Sequence, residues 1–198
     1  MQSYTWLLFD ADDTLFDYPA AESGALQTTF EHFGQVYRSE ILRIYQIYNR
    51  QVWNEFERGE ILPQDLRLKR FRLLFDEIQV PLDPQDFSQR YLENLASASD
   101  LLPGASDVLE VLSKKYHIAL VTNGLKEVQR PRLERSAIHS FIEKVFISEE
   151  MGVAKPAPAF FEIVFQELGN PPKSKVLIIG DSLTSDMQGG INFGIDTC

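Results

Sequence analysis

Residues 6–15 read Trp6-Leu7-Leu8-Phe9-Asp10-Ala11-Asp12-Asp13-Thr14-Leu15, a short apolar run that stops abruptly in acid. Three later runs have the same character: Ile118-Ala119-Leu120-Val121, Val145-Phe146-Ile147 and Val176-Leu177-Ile178-Ile179. Unbroken Val- and Ile-rich runs of this length match strands buried on both faces of a parallel sheet, not strands with one wet face. Helical patterns separate them: Val108, Leu109, Val111 and Leu112 after Ser106; Phe160, Phe161, Val164, Phe165 and Leu168 after Pro158; and a short one near Met187. Strand alternating with helix predicts an α/β fold, a Rossmann-like parallel sheet sandwiched by helices.

The stretch from Phe16 to Leu95 breaks this alternation and reads as an inserted all-helical domain, so the expected division is 1–15 with 96–198 for the core and 16–95 for the insert. Its longest pattern places Ile41, Leu42, Tyr45, Tyr48, Val52, Trp53 and Phe56 on one side of a helix that stops near Gly59. Two further helices follow from Leu66, Phe71, Leu74, Phe75 and Ile78, and from Phe87, Tyr91, Leu92 and Leu95 after Asp83-Pro84. The aromatic stripe is read as bundle packing, not ligand contact. Arg67, Lys69, Arg70 and Arg72, and likewise Arg130, Arg132 and Arg135, are read as solvated helix faces. No role is assigned to His32, His117 or His139.

Composition narrows the function. The chain has 198 residues, 44% hydrophobic and 24% charged, with a formal charge of −10 and a single cysteine, Cys198. Such an acidic chain is a poor match for a nucleic-acid polymer, which needs clustered Lys and Arg. No apolar run approaches the roughly 18 residues of a membrane span. The first residues carry neither the basic start nor the long apolar stretch of a signal peptide, and one cysteine allows no internal disulfide; the expected location is the cytoplasm.

In open α/β sheets reactive groups gather beyond the carboxyl ends of the strands. Each apolar run here leads into a specific polar sequence: Asp10 to Thr14; Thr122-Asn123-Gly124; Ser148 onward to Lys155-Pro156; and Gly180-Asp181 through Asp186. Carboxylates at Asp10, Asp12 and Asp181 brought to one edge repel one another unless a hard cation sits among them, and Mg²⁺ suits such oxygen ligands. A carboxylate beside a cation can attack phosphorus to give an acyl phosphate, the role expected of Asp10. Asp12 then protonates the leaving oxygen and later takes a proton from water. Thr122, Asn123 and neighbouring main-chain N–H groups are expected to hydrogen-bond the phosphoryl oxygens, with Lys155 adding a positive charge facing them. Alone, each residue has a plainer reading as a cap, turn former or loop charge. Together they describe one phosphoryl-transfer site.

These motifs resemble those of the haloacid dehalogenase (HAD) superfamily over nearly the whole chain. The resemblance implies a Rossmann-like core with a helical cap after the first motif. It also implies Mg²⁺ held by the Asp10 side chain, the Asp12 main-chain carbonyl and Asp181, with Asp186 positioning ligands or a coordinated water. Dehalogenating members lack the second acid of the first motif, so Asp12 points to a phosphate ester. The stretches 147–156 and 189–195, with Trp53 and Gly59-Glu60-Ile61, are similar to the YjjG-type pyrimidine 5′-nucleotidases, which implies a nucleoside monophosphate substrate. Rival readings are a sugar-phosphate or phosphoglycolate phosphatase, a phosphomutase, a phospho-accepting receiver domain, and an inactive relative.

The chain departs from the family pattern at two points. Pro131 is expected to start or kink the helix after the second motif. The chain stops at Cys198, where relatives are expected to continue through another strand and helix, leaving a sheet edge.

Overall fold

The computed structural model of the chain describes residues 4–198. Contacts divide the described residues into two compact units, 4–19 with 99–198, and 20–98.

The first unit is built on the apolar runs. In chain order its elements are β1 (Trp6–Phe9), then, beyond the helices of the second unit, α5 (Ala105–Ser113), β2 (His117–Thr122), α6 (Lys126–Arg135), β3 (Lys144–Ile147), α7 (Ser148–Met151), α8 (Pro158–Glu167), β4 (Val176–Ile179), α9 (Gln188–Phe193) and β5 (Asp196–Thr197). All strands are parallel, in the order β3-β2-β1-β4-β5. Both faces of the sheet are covered. Leu7, Phe9, Ile118 and Leu120 pack with Leu109, Leu133 and Ile138 on one side. Leu8, Ala119, Val121 and Ile178 pack with Phe160, Phe161 and Val164 on the other. Alternate residues of one strand therefore serve opposite layers, which is why the strand sequences are continuously apolar.

The chain leaves β1 toward β2 and β3 on one side and returns to β4 on the other, so β1 lies at the point where strand order reverses, the usual ligand crevice of an open α/β sheet. Register makes that crevice a common edge: Phe9 pairs with Leu120 and with Ile179, and Thr122 pairs with Ile147. Pro131 lies inside α6, which begins at Lys126, so the proline does not start the helix. β5 forms one edge of the sheet.

The second unit holds α1 (Tyr18–His32, the first residues of which belong to the sheet unit), α2 (Ser39–Glu57), α3 (Pro63–Ile78) and α4 (Pro84–Ser97), and no strand falls in it among the described residues. Helix starts follow local chemistry: Asp83 caps α4 by accepting from the Gln85 and Asp86 N–H groups, with Pro84 at the first helical position. The aromatic residues are core at Tyr45, Phe71, Phe75, Phe87 and Tyr91, whereas Tyr48, Trp53 and Phe56 are only half-buried. Tyr45 stacks on Phe71 with ring centroids 5.5 Å apart, and Phe87 meets both Phe30 and Phe71 at 5.0 Å.

Arg70 corrects the solvated-face reading. It is buried, lies over the Phe71 and Tyr91 rings at 5.0 and 5.2 Å, and donates to Asn49 Oδ1 at 3.0 Å. Asn49 in turn donates to buried Glu22 at 3.2 Å, and Gln46 donates to the same carboxylate at 2.9 Å. A buried guanidinium needs such partners, because an isolated charge in the interior costs several kcal/mol. Because Phe71 is fully buried at the centre of the aromatic contacts, Phe71→Ala is expected to destabilise the helical unit by about 3–5 kcal/mol, read as a lowered denaturant midpoint.

Candidate active site

The end of β1 sets the first part of the site. The Asp10 N–H donates to Ile179 O at 2.9 Å, continuing the ladder one residue past the strand. The chain then turns tightly: the Leu15 and Phe16 N–H groups both donate to Ala11 O at 2.9 Å, and Asp13 N–H donates to Phe16 O at 3.0 Å. Asp13 takes a left-handed conformation with φ of 61°, which Asp tolerates better than most residues. The turn takes Asp12 out of the strand while Asp10 stays buried at its end.

Lys155 comes from the loop between α7 and α8 and is held by its main chain. Asn123, just past β2, accepts from the Lys155 N–H at 2.9 Å and donates through Nδ2 to Lys155 O at 2.8 Å. The side chain is buried, and its Nζ donates to Asp10 Oδ1 at 2.6 Å, Asp186 Oδ1 at 2.5 Å and Val121 O at 2.8 Å. All three hydrogens of the ammonium thus have an acceptor. Asp186 reaches this position from the π-turn Leu183–Met187, where its Oδ2 accepts from the Ser182 N–H at 3.1 Å. Gly180 makes room for it: a Cβ there would lie 2.4 Å from the Asp186 carboxylate.

Electrostatics follow from this burial. Burial pushes Asp10 up to about 7 from an ordinary 3.8; Lys155 opposes that rise, and Asp186 adds to it. Burial also raises Asp181, with Asp186 a further anionic neighbour. For Lys155, burial alone favours the neutral amine, but Asp10 and Asp186 outweigh it and hold the ammonium above its usual range. Asp10, Asp181 and Asp186 offer carboxylate oxygens all within 4.8 Å of one another. Three carboxylates so close, against one buried lysine, form an oxygen-only donor set that a small hard cation would neutralise. The sequence-derived residues Asp10, Thr122, Asn123, Lys155, Asp181 and Asp186 therefore meet at one edge, and the Asp12 carboxylate lies beside them with different partners.

The family model described as haloacid dehalogenase-like hydrolase matches residues 7–198. The chain belongs to the haloacid dehalogenase-like hydrolases. It is 33% identical over 195 residues to the pyrimidine 5′-nucleotidase YjjG of Escherichia coli, covering 98% of this chain and 85% of that protein. It is 37% identical to the pyrimidine 5′-nucleotidase PynA of Streptococcus pneumoniae, covering 98% and 82%. Among solved structures, the putative HAD-hydrolase YfnB of Bacillus subtilis, crystallised bound to magnesium, superposes with a TM-score of 0.95 at 35% identity, covering 99% of this chain and 88% of that one. Membership in this hydrolase family removes the receiver-domain reading.

Two further side chains lie at this edge, Gln129, to which the sequence gives no role, and Arg132, which reads there as a solvated charge. Arg132 is not on a solvated face: it is completely buried, its guanidinium lies 4.5 Å over the Phe16 ring, and Nη1 donates to Asp12 Oδ1 at 2.5 Å. Gln129, one helical turn earlier, donates to Asp12 Oδ2 at 2.7 Å and lies 3.4 Å from Thr122 Oγ1. The available signal was position, since Gln129 and Arg132 share the inner face of α6 with Val128 and Leu133. Arg130 does face outward and pairs with Glu150, while Glu149 accepts from the Lys126 N–H, so this acidic pair anchors the start of α6.

In metal-free protein, Lys155→Met leaves the buried Asp10 and Asp186 without their cation. The expected loss is about 3–5 kcal/mol at pH 8 in urea titrations with chelator present. The sign with pH follows from Asp10, whose folded-state value stands above its unfolded one: its contribution is fully present in acid and is lost as pH rises through about 7. The cost of Lys155→Met is therefore expected to be smaller at pH 5, where Asp10 carries its proton.

Proposed function

We propose that the protein is a magnesium-dependent phosphatase that hydrolyses nucleoside 5′-monophosphates, pyrimidine nucleotides foremost, through a phosphoaspartate on Asp10. The observation that carries this reading is the junction of two differently treated acids at the end of β1. Asp10 is buried among Lys155, Asp186 and Asp181, whereas Asp12 is half-buried and held outside that cluster. Two carboxylates in distinct environments suit a nucleophile and a separate proton carrier.

In the first half-reaction an Asp10 carboxylate oxygen attacks phosphorus while the ester P–O bond breaks and Asp12 passes its proton to the departing oxygen. In the second, water attacks phosphorus, Asp12 takes the water proton, and the P–O bond to Asp10 breaks to release phosphate and restore the carboxylate. The Thr122 hydroxyl and the Asn123 main chain bind the phosphoryl oxygens, and Lys155 supplies fixed positive charge beside Asp10. Asp10, Asp181, Asp186 and the Asp12 main-chain carbonyl would hold magnesium, which when bound offsets the crowded carboxylates and polarises the phosphoryl group. Asp12 separates this chemistry from dehalogenation, in which a departing halide needs no proton.

The nucleotide substrate rests on the two pyrimidine 5′-nucleotidases to which the chain is 33% and 37% identical over 98% of its length. A sugar-phosphate substrate uses the same machinery, so a panel of phosphate monoesters decides between them. UMP and dUMP are expected to be hydrolysed faster than sugar phosphates, and the opposite ranking overturns the nucleotidase assignment. Chelation is expected to abolish turnover, and Asp10→Asn to lower it at least about 10³-fold on every ester, including aryl phosphates. An active Asp10→Asn enzyme contradicts the nucleophile.

A further inference from the structure

The proposed acid–base residue does not orient itself. A carboxylate on a short side chain at a half-exposed turn is free to rotate, yet both oxygens of Asp12 are occupied from the same helix. Arg132 Nη1 donates to Oδ1 at 2.5 Å and Gln129 Nε2 to Oδ2 at 2.7 Å. The pair reaches Asp12 from the protein side: the Arg132 side chain has no exposure, whereas that of Asp12 keeps 24%. The carboxylate is thus gripped from behind with its outer side open, and each oxygen retains a lone pair for a proton in transit.

The grip is itself built. The Arg132 guanidinium packs over Phe16, whose main chain closes the turn that carries Asp12. Gln129 is seated against Gly124, where a Cβ would come within 2.9 Å of its Cγ and Nε2. Gln129 Oε1 faces Arg132 Nη1 at 3.4 Å, so its amide has one orientation that presents the donor to Asp12 and the acceptor to Arg132. The same Nε2 lies 3.4 Å from the Thr122 hydroxyl, linking the proton carrier to the phosphoryl-binding strand end. A buried guanidinium is costly to keep when a hydrophobic residue could fill the space, and here its ion pair is with the proton carrier.

We infer that Gln129 and Arg132 are positioning residues that hold the Asp12 carboxyl in line for proton transfer in both half-reactions. The inference rests on the reading of Asp12 as general acid and base. It assigns a function to the helix after β2 that motif reading leaves blank, and it gives a leaving-group signature. An alkyl ester such as a nucleotide needs its oxygen protonated as it departs; p-nitrophenolate does not. Loss of orientation therefore slows phosphoenzyme formation from alkyl esters. With p-nitrophenyl phosphate, formation stays fast and only the water step slows, so phosphoenzyme accumulates and nitrophenol appears in a burst.

The experiment compares wild type, Asp12→Asn, Arg132→Met, Arg132→Lys and Gln129→Met at saturating magnesium, on p-nitrophenyl phosphate and on an alkyl phosphate that wild type hydrolyses. Steady-state and stopped-flow kinetics are read, with circular dichroism as the folding control. Arg132→Met and Gln129→Met are expected to lose about 10–100-fold in kcat on the alkyl ester with KM little changed. They are also expected to show a nitrophenol burst whose rate is within about threefold of wild-type phosphoenzyme formation. Arg132→Lys is expected to recover part of the alkyl activity. Should Arg132→Met fail to fold, Gln129→Met decides, since it removes the Oδ2 donor without leaving a buried charge unpaired. If Asp12→Asn shows the signature while both positioning variants slow the two esters equally, or slow neither, the inference is overturned and Asp12 stands. If Asp12→Asn itself lacks the signature, the reading of Asp12 fails and the inference falls with it.

Discussion

A fully buried ammonium shared between two buried carboxylates is the constraint around which the site unit is organised. The Lys155 side chain touches the ends of three strands or their extensions: Asp10 after β1, Val121 in β2 and Asp186 beyond β4. Neither sign of charge is tolerable there alone, because burial penalises the ionised form of each. The loop bearing Lys155 has therefore to be fixed, and Asn123 fixes it through a two-way amide contact with its main chain. Gly180 has to lack a side chain so that Asp186 can approach. One charge balance thus explains residue choices in segments far apart in sequence.

The parallel sheet makes that balance possible. Its register brings the carboxyl ends of β1, β2, β3 and β4 to one level, and its reversal at β1 opens the crevice into which their following loops project. The strands, covered on both faces, supply rigidity, and the loops supply chemistry. The remaining negative charge of Asp10, Asp181 and Asp186 exceeds what Lys155 alone can offset, which is the physical case for a divalent cation. Asp12 is kept out of this cluster by a separate helix, so the two acids of the first motif experience different surroundings although one residue apart.

Much of this was legible from the chain. The apolar runs around Leu8, Leu120, Phe146 and Ile178 announced buried parallel strands because the covered sheet has no wet face. The acids, asparagine and lysine that follow the strands are brought to one edge, as their positions after successive apolar runs lead one to expect. Less visible was α1, whose buried side is made largely of Ala21, Ala25, Leu26, Thr29 and Phe30, with small residues giving a weak periodic signal. Arg70 and Arg132 are buried against the expectation from sequence, in which charge marks the outer face of a helix. In both cases the partners that make burial tolerable, Asn49 for one and Asp12 for the other, are 21 and 120 residues away in sequence. Such pairings are tertiary facts that local periodicity does not carry.

The central claim, that Asp10 is a covalent nucleophile kept at the strand end by Lys155, is tested most directly by trapping its product. Enzyme mixed with magnesium and p-nitrophenyl phosphate, quenched in acid within milliseconds and digested, is examined by mass spectrometry for one added phosphoryl group. The account predicts the modification on Asp10, labile to hydroxylamine as an acyl phosphate should be, with none formed in Asp10→Asn. A turning-over enzyme that never carries phosphate, or carries it on another residue, would contradict it.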